Sequence, residues 1–391
     1  MKTSLRKLSL LAGALIFMSY AFESPAQQKY SREIDPYVDF LKTQDTDAKD
    51  YIFNLWKTFD VVVICERMHP EYTQYDFFFD IVTDTRFIEM RGMVYTEIFS
   101  LAGTEMYYDL TFGDGTEDPE AVIERIQLDT GFWPSWDCRG MHDFLTKLYN
   151  FNMGLPAEKR VRWMAPLKAL DWNLIQTGED LEYWKEIGKY YDFFIADNIN
   201  KAFSRSGGTK SLVILNYRHA FMNSTWEKGN SEVIINNNAA SIMKYRFGMN
   251  VANVWLNDAN TSRLNNPPVM KGKWDAAFKA LGNPRLGFDM KESPLGAAHF
   301  EIYPQKWKKH NLDFEDVFHG FVFYNPVEDF VTAQYFPEYF SDPANVAELK
   351  RRAGLIGKPA MARKLTSPES IKTARYSGIK ATKRKINRWL D

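Results

Sequence analysis

The sequence predicts an α/β fold with three layers, in which a mainly parallel central sheet is covered by helices on both faces. Three observations lead to this prediction. Six short apolar runs are spaced along the 391 residues, and helical patterns of ten or more residues separate most of them. The runs are continuous and rich in β-branched residues rather than alternating, as is typical of strands buried on both faces. Strands that alternate with long helices form βαβ units, whose strands are parallel.

The predicted strands are residues 60–65, 92–97, 161–170, 211–215, 251–256 and 320–324. The third is the least regular, because Pro166 interrupts it. The predicted helices are residues 71–82, 119–128, 141–151, 181–203 and 238–247. No internal repeat of fixed period accompanies these elements.

The N-terminus has the pattern of a signal peptide over residues 1–26. Lys2, Arg6 and Lys7 precede an apolar stretch at 8–18, and Ala26 ends a small-residue cleavage site. We therefore expect an exported protein, periplasmic or secreted, with a single α/β hydrolase-like domain over 27–340. No later run reaches about 18 apolar residues, so no integral membrane segment is expected in the mature chain.

A basic tail is predicted over residues 341–391. From Lys350 onward there are thirteen Lys and Arg but only two Asp and Glu, and large apolar residues are sparse. We expect a peripheral, solvated extension with few contacts to the core. The net charge of the whole chain is −1, which argues against nucleic acid as its partner.

The two cysteines carry little of the chemistry. Cys65 ends an apolar run and is expected to be buried, and no Cys/His signature surrounds Cys65 or Cys138. Export would permit a disulfide between them. A thiol nucleophile and a disulfide are both less favoured than a buried free Cys65.

Ionisable residues of catalytic type follow four of the predicted strands. In open α/β sheets a ligand binds beyond the carboxyl ends of the strands, so these residues are candidates for one site. In chain order they are Glu66, Arg67 and His69 after the first strand, Glu97 at the end of the second, Asp171 at the end of the third, and Arg218 and His219 after the fourth.

Two histidines among carboxylates suit two kinds of chemistry. A His that a carboxylate orients can take a proton from water, while a second His or an Arg stabilises negative charge on a carbonyl oxygen. The same residue types could hold a metal ion. The chain has no His-Glu-x-x-His, no Gly-x-Ser-x-Gly, no Walker loop and no Gly-x-Gly-x-x-Gly after a strand, which disfavours serine hydrolases, P-loop proteins and dinucleotide enzymes.

At these residues the sequence resembles the erythromycin esterase-like family, within the wider TraB/Tiki/ChaN-like superfamily. The resemblance covers about residues 60–330. Its motifs are a strand followed by Glu-x-x-His at Val63–His69, a strand ending in Glu at Met93–Glu97, tryptophans at Trp133–Trp136 before the Phe144–Asn152 stretch, a strand ending in Asp at Ala169–Asp171, a helix at Tyr191–Asn198 and a strand leading to His at Val213–His219. Cys65 and Pro70 stand where the family has glycines, which weakens the case for a macrolide lactone as substrate.

The resemblance implies a hydrolase that needs no cofactor and acts on a small-molecule or acyl substrate. It implies that His69 is the general base, that Glu66 and Glu97 orient it, and that His219 is the electrophilic partner. Asp171 and Asp192 would be supporting residues, and so would Arg67 and Arg218.

Three alternatives stay open within the superfamily. One is a ligand-binding protein of the ChaN type that coordinates haem. A second is a metal-dependent peptidase similar to the Tiki and TraB proteins, with a divalent ion held by His69, Glu97 and His219. The third is a member that keeps the fold without the reaction.

Overall fold

A computed structural model of the chain describes residues 30–131, 139–168, 170–223, 225–226, 234–235, 237–259, 268–302, 312–334, 339, 341–367, 375–378 and 382–390. The predicted signal peptide at 1–26, the tryptophan stretch at 133–136, Ala169 and Cys138 lie outside these residues.

Seven of the described strands form one central sheet. The strands are β1 (Val61–Glu66), β2 (Met93–Thr96), β3 (Arg162–Met164), β4 (Ser211–Asn216), β5 (Thr225–Trp226), β6 (Ile234–Ile235), β7 (Val251–Leu256), β8 (Leu286–Asp289), β9 (Gly320–Phe323), β10 (Val331–Gln334) and β11 (Arg375–Gly378). The order in the sheet is β3-β2-β4-β1-β7-β9-β8. Every neighbouring pair is parallel except β8 with β9, which confirms the predicted mainly parallel sheet.

Strand β1 lies at the centre of the sheet and supplies both hydrophobic cores. Val61, Val63 and Cys65 pack into the core on one face, and Val62 and Ile64 pack into the core on the other. All five side chains are fully buried. Successive side chains of a strand point to opposite faces, so a continuous apolar strand requires cover on both sides.

Helices provide that cover, and the three predicted layers are present. The described α-helices are α1 (Asp35–Leu41), α2 (Ala48–Leu55), α3 (Gln74–Val82), α4 (Thr85–Glu89), α5 (Leu101–Phe112), α6 (Pro119–Arg125), α7 (Arg139–Met153), α8 (Gly178–Ile187), α9 (Tyr191–Arg205), α10 (Ala239–Ser241), α11 (Lys273–Ala280), α12 (Phe314–Val317), α13 (Pro343–Leu355), α14 (Pro359–Leu365) and α15 (Lys383–Asn387). Helices α1, α9, α11 and α12 bury apolar side chains on one face of the sheet, and α2, α3, α5 and α7 bury theirs on the other. Within the described residues, no helix is long and apolar enough to cross a membrane.

Two predicted elements differ from the observed ones, and one strand of the central sheet was not predicted. The third strand spans only Arg162–Met164, because Pro166 cannot continue the ladder. The predicted helix at 181–203 is two helices, α8 and α9, separated by a short 3₁₀ turn that begins at Gly188. Strand β8 was not predicted. Its four residues include Gly287 and Asp289, so the strand lacks the continuous apolar run that marks the others. Glycine is required at 287, because a Cβ there would lie 2.4 Å from the Tyr51 side chain.

The C-terminal segment corrects the prediction of a peripheral tail. Arg352 in α13 is only 2% exposed, and its guanidinium donates to the carbonyl of Leu128 and pairs with Glu348. Strand β11 pairs antiparallel with β10. Ile386 in α15 is 1% exposed and belongs to the same core as β1. The basic composition suggested an exposed tail, but basic residues can bury their aliphatic stems when their charged groups form hydrogen bonds or ion pairs.

The described part of the chain leaves Cys65 as a free, fully buried thiol. Its Sγ lies 3.8 Å from the carbonyl oxygen of Tyr217. Burial raises the pKa of this thiol well above its usual range, which opposes thiolate chemistry.

We predict that Ile386→Ala lowers the free energy of unfolding by about 2–5 kcal/mol, the usual cost of truncating a buried isoleucine. The matched control is Arg384→Ala in the same helix, where the side chain is exposed and the expected change is within about 0.5 kcal/mol. Urea denaturation of both variants measures the difference. Equal stability of the two variants would show that the C-terminal segment is peripheral after all.

Candidate active site

The site lies where three neighbouring parallel strands end. β2, β4 and β1 are adjacent, so their carboxyl ends meet at one edge of the sheet. Glu66 is the last residue of β1, Glu97 directly follows β2, and a 3₁₀ turn at Tyr217–Ala220 directly follows β4. This arrangement brings Glu66, His69, Glu97 and His219 together at that edge.

Glu66 and His69 form one buried pair. The Oε1 of Glu66 lies 2.8 Å from the Nδ1 of His69. Glu66 is 1% exposed and His69 is 8% exposed. The hydroxyl of Tyr75 donates to the carbonyl oxygen of His69 at 3.0 Å and fixes the backbone there. The Oε2 of Glu66 is buried and has no hydrogen-bond partner among the described residues.

His219 lies between two carboxylates. Its Nδ1 is 2.6 Å from Oδ1 of Asp192, and its Nε2 is 3.4 Å from Oε1 of Glu97. The second oxygen of Glu97 accepts a hydrogen bond from the backbone N–H of Asn216 at 2.8 Å. The imidazole is therefore held in place from both sides, and Glu97 ties it to the backbone at the end of β4.

Asp192 comes from helix α9, and it is the residue that anchors the turn after β4. Its Oδ2 pairs with Nη1 of Arg218 at 2.5 Å, and its Oδ1 also accepts from the backbone N–H of Ala239 at 2.9 Å. Burial alone would raise the pKa of Asp192, but His219 and Arg218 outweigh it and lower the pKa to about 2. Asp192 is thus a carboxylate at neutral pH.

Burial of the Glu66–His69 pair opposes the charged forms of both side chains. Burial raises the pKa of Glu66, and the nearby His69 only partly offsets the increase. Burial would lower the pKa of His69, but the charge and hydrogen bond of Glu66, with a further contribution from Glu97, raise it above its usual range. His69 is therefore a stronger base than a free histidine.

Glu66, His69 and Glu97 also form a group that could hold a metal ion. One ligand atom of each residue lies within 4.8 Å of the others, and all three side chains are buried. Two carboxylates and an imidazole are ligands that Zn²⁺ and other first-row divalent ions accept. Both ring nitrogens of His219 already face carboxylates, so Glu66 replaces His219 in the predicted metal set of His69, Glu97 and His219.

Asp171 is not brought to this cluster by any described contact. Because β3 ends at Met164, Asp171 lies seven residues beyond the strand end. Its side chain instead accepts a hydrogen bond from Asn173 N and caps a short helix at Trp172–Leu174. Its predicted supporting role in the site stays a prediction.

Arg67 is fully buried, but it faces a different set of partners. Its guanidinium binds Glu71 at 2.9 Å, the Asn257 carbonyl oxygen at 2.7 Å and the Asn325 amide oxygen at 2.7 Å. Phe330 packs on its face at 3.8 Å. The carbonyl of Arg67 accepts from Asn216 Nδ2, so its contribution to the site is to brace the backbone behind Glu66.

Asn216 was expected among the polar residues after the fourth strand, and its backbone N–H binds Glu97. Sequence reasoning missed two other residues at this edge, and one of them is Tyr191, whose ring lies 5.4 Å from that of His219. Asp258 lies two residues beyond the end of β7 and accepts a hydrogen bond from the hydroxyl of Tyr217. The strand at 251–256 was predicted, so the rule that ligands bind beyond strand ends could have identified Asp258.

Comparisons of the chain with protein-family models, with curated proteins and with solved structures found no match. The resemblance to the erythromycin esterase-like family therefore stays an expectation from the motifs.

We predict that Glu66→Gln lowers the pKa of His69, because the amide removes the charge that raises it. A pH titration of the His69 ring resonances by NMR measures the change. Glu89→Gln, at an exposed position on α4, is the control and should leave the titration of His69 unaltered. An unchanged or higher pKa of His69 in Glu66→Gln would contradict the coupling of this pair.

Proposed function

We propose that this chain is a hydrolase that activates water with a histidine and attacks an ester, lactone or related acyl bond. The observation that carries the proposal is the pair of buried histidine–carboxylate contacts at one sheet edge, Glu66 with His69 and Asp192 with His219. Glu97 lies close to both. Buried histidines held by carboxylates are typical of general acid–base sites.

In this proposal His69 is the general base. Its Nδ1 binds Glu66, so the proton of the attacking water would be taken at Nε2. The negative charge of Glu66 stabilises the imidazolium that forms. The water oxygen attacks the acyl carbon as the proton moves to His69, and the leaving group later departs with that proton.

His219 and Arg218 would form the electrophilic side of the site. Both ring nitrogens of His219 face carboxylates, so the neighbouring Arg218 guanidinium, held on the same carboxylate of Asp192, would donate to the oxygen that becomes negative. Such fixed donors favour a tetrahedral intermediate because they need no reorganisation when the charge develops. Glu97 and Asn216 keep the ring in this orientation.

We predict that His69→Ala reduces kcat/KM by about 10²–10⁴-fold, the usual contribution of a general base. A panel of ester, lactone and peptide substrates identifies the activity to be measured. His319→Ala is the matched control, because His319 directly precedes β9 at the opposite edge of the sheet. Full activity of His69→Ala against a substrate that the wild type cleaves would refute the proposal.

The pH profile provides a second measurement on the same variants. A base must be neutral to accept a proton, and the pKa of His69 is raised. The rate of the wild type should therefore rise with pH, with an acid limb above the ordinary histidine value of about 6.5. Glu66→Gln should move that limb to lower pH and also lower the maximal rate.

A metal-dependent hydrolase is a second candidate, and one observation favours it. The buried, unpartnered Oε2 of Glu66 belongs to the same group as His69 and Glu97. These three residues would hold the ion, and a bound divalent ion would supply an acidic water as nucleophile. The Glu66–His69 hydrogen bond would have to open for His69 to bind the ion through Nδ1.

The two candidates predict different results for metal content. In the metal-dependent case, Glu97→Gln should lower bound Zn²⁺ or Mn²⁺, measured by mass spectrometry of purified protein, and activity should fall in parallel. In the metal-independent case, chelator treatment should leave activity intact. A Soret absorbance in the purified protein would instead support the haem-binding alternative.

We also propose that the protein acts outside the cytoplasm, on the basis of the signal-like residues 1–26. N-terminal sequencing of the exported fraction tests this, and a mature N-terminus at residue 27 is the expected result.

A further inference from the structure

The turn that carries His219 has an unusual backbone conformation. Tyr217, the first residue of the turn, has φ of 36°, in the left-handed region that a non-glycine residue seldom adopts. Such a conformation persists only where the surroundings impose it. The contacts of Tyr217 therefore determine where the next two residues, Arg218 and His219, are placed.

A contact from a distant strand holds Tyr217. Its hydroxyl donates to Oδ2 of Asp258 at 3.1 Å, and Asp258 is only 4% exposed. Tyr217 follows β4 and Asp258 follows β7, and β1 separates these strands in the sheet. Cys65 in β1 lies beneath the link, with its Sγ 3.8 Å from the Tyr217 carbonyl oxygen. The link thus spans three strands.

The other oxygen of Asp258 has no hydrogen-bond partner in the described part of the chain, although it is buried. Asp258 lines a cavity of about 10 Å³ together with Trp274, Asp275 and apolar side chains that include Phe278 and Phe321. The indole Nε1 of Trp274 is also buried without a partner there. A cavity of this size holds one water molecule, and a water needs two or more polar partners.

We propose that Asp258 is a positioning residue for His219: its Oδ2 holds the Tyr217 hydroxyl, and its Oδ1 binds one buried water in the cavity that it shares with Trp274 and Asp275. The water accepts from the Trp274 indole N–H and satisfies Asp258. The carboxyl is thereby fixed, and it fixes the tyrosine that imposes the strained turn.

The electrostatics of the cavity support a neutral carboxyl at this position. Burial raises the pKa of Asp258 to about 8, although the Arg67 guanidinium opposes the increase. Burial likewise raises the pKa of Asp275 to about 7. A neutral carboxyl costs far less to bury than a carboxylate, and its hydroxyl can donate to a water.

The direct test is the environment of the His219 ring, measured by ¹H–¹³C NMR at fixed pH on the full chain after chelator treatment. Tyr217→Phe removes one oxygen atom, and Asp258→Ala removes the acceptor. Both variants should shift the His219 ring resonances, and the double variant should shift them no further. Tyr245→Phe is the matched control, because it removes a tyrosine hydrogen bond of 2.9 Å at the surface, to Asn223.

Unaltered His219 resonances in folded Tyr217→Phe would overturn the proposal, as would additive shifts in the double variant. Asp258→Ala could fail to fold, but Tyr217→Phe keeps the ring and carries the test alone. A crystal structure provides the second test. Density for one water within hydrogen-bond distance of Asp258 and Trp274 is expected, and a dry cavity would overturn the water assignment.

The activity measurement is the only part that rests on the proposed hydrolase function. Tyr217→Phe should lower kcat on the order of 10–100-fold, by analogy with partners that orient metal-bound histidines, with little change in KM. A large rise in KM at unchanged kcat would contradict positioning of His219. If His69→Ala retained activity while the NMR shifts occurred as expected, the hydrolase mechanism would fail and the positioning role would stand.

Discussion

An ionisable group taken out of water needs a partner, and this requirement shapes the carboxyl edge of the sheet. Glu66, Glu97 and Asp192 are all largely or fully buried there, and each lies close to a histidine or a backbone N–H. An unpaired buried charge would cost several kcal/mol, so removing one partner leaves the other strongly destabilised. The burial of each of the three carboxylates and two histidines therefore depends on the others being present. Their positions depend on three parallel strands ending at the same level.

A second group of buried polar side chains, centred on Arg67, also pairs its charges behind the site. Arg67 lies beneath the edge with Glu71, Asn257 and Asn325 around its guanidinium, and its own carbonyl receives Asn216. This network joins the ends of β1, β4, β7 and β9, since Asn325 lies just beyond β9. The rigidity of the candidate site thus comes from polar contacts between strand ends, and the apolar cores on the two faces fix the strands themselves.

How far the sequence could predict this arrangement varies with the kind of contact. The convergence of Glu66, Glu97 and His219 was predictable, because buried parallel strands can be read from continuous apolar runs and their ends meet. Asp171 makes no described contact with these three residues, because β3 ends at Met164 and Asp171 follows only seven residues later. Asp192 was expected only as a supporting residue, and its contact with His219 depends on how α9 packs, which the local sequence does not encode. The burial of Ile386 was not predicted, because a single apolar residue in a basic helix gives no amphipathic pattern, yet it is enough to dock the helix on the core.

The closing of one core by two distant segments has a consequence for biosynthesis. Ser31 N–H donates to the carbonyl of Trp389 at 2.8 Å, and Ile34 and Ile386 belong to the same core. The contact joins residues more than 350 positions apart, so a nascent chain on the ribosome exposes an incomplete apolar surface until residue 386 has emerged. Contacts of such long range close late and slowly. During synthesis, this part of the native core therefore cannot close before the C-terminal segment is available to pack against residues 31–34.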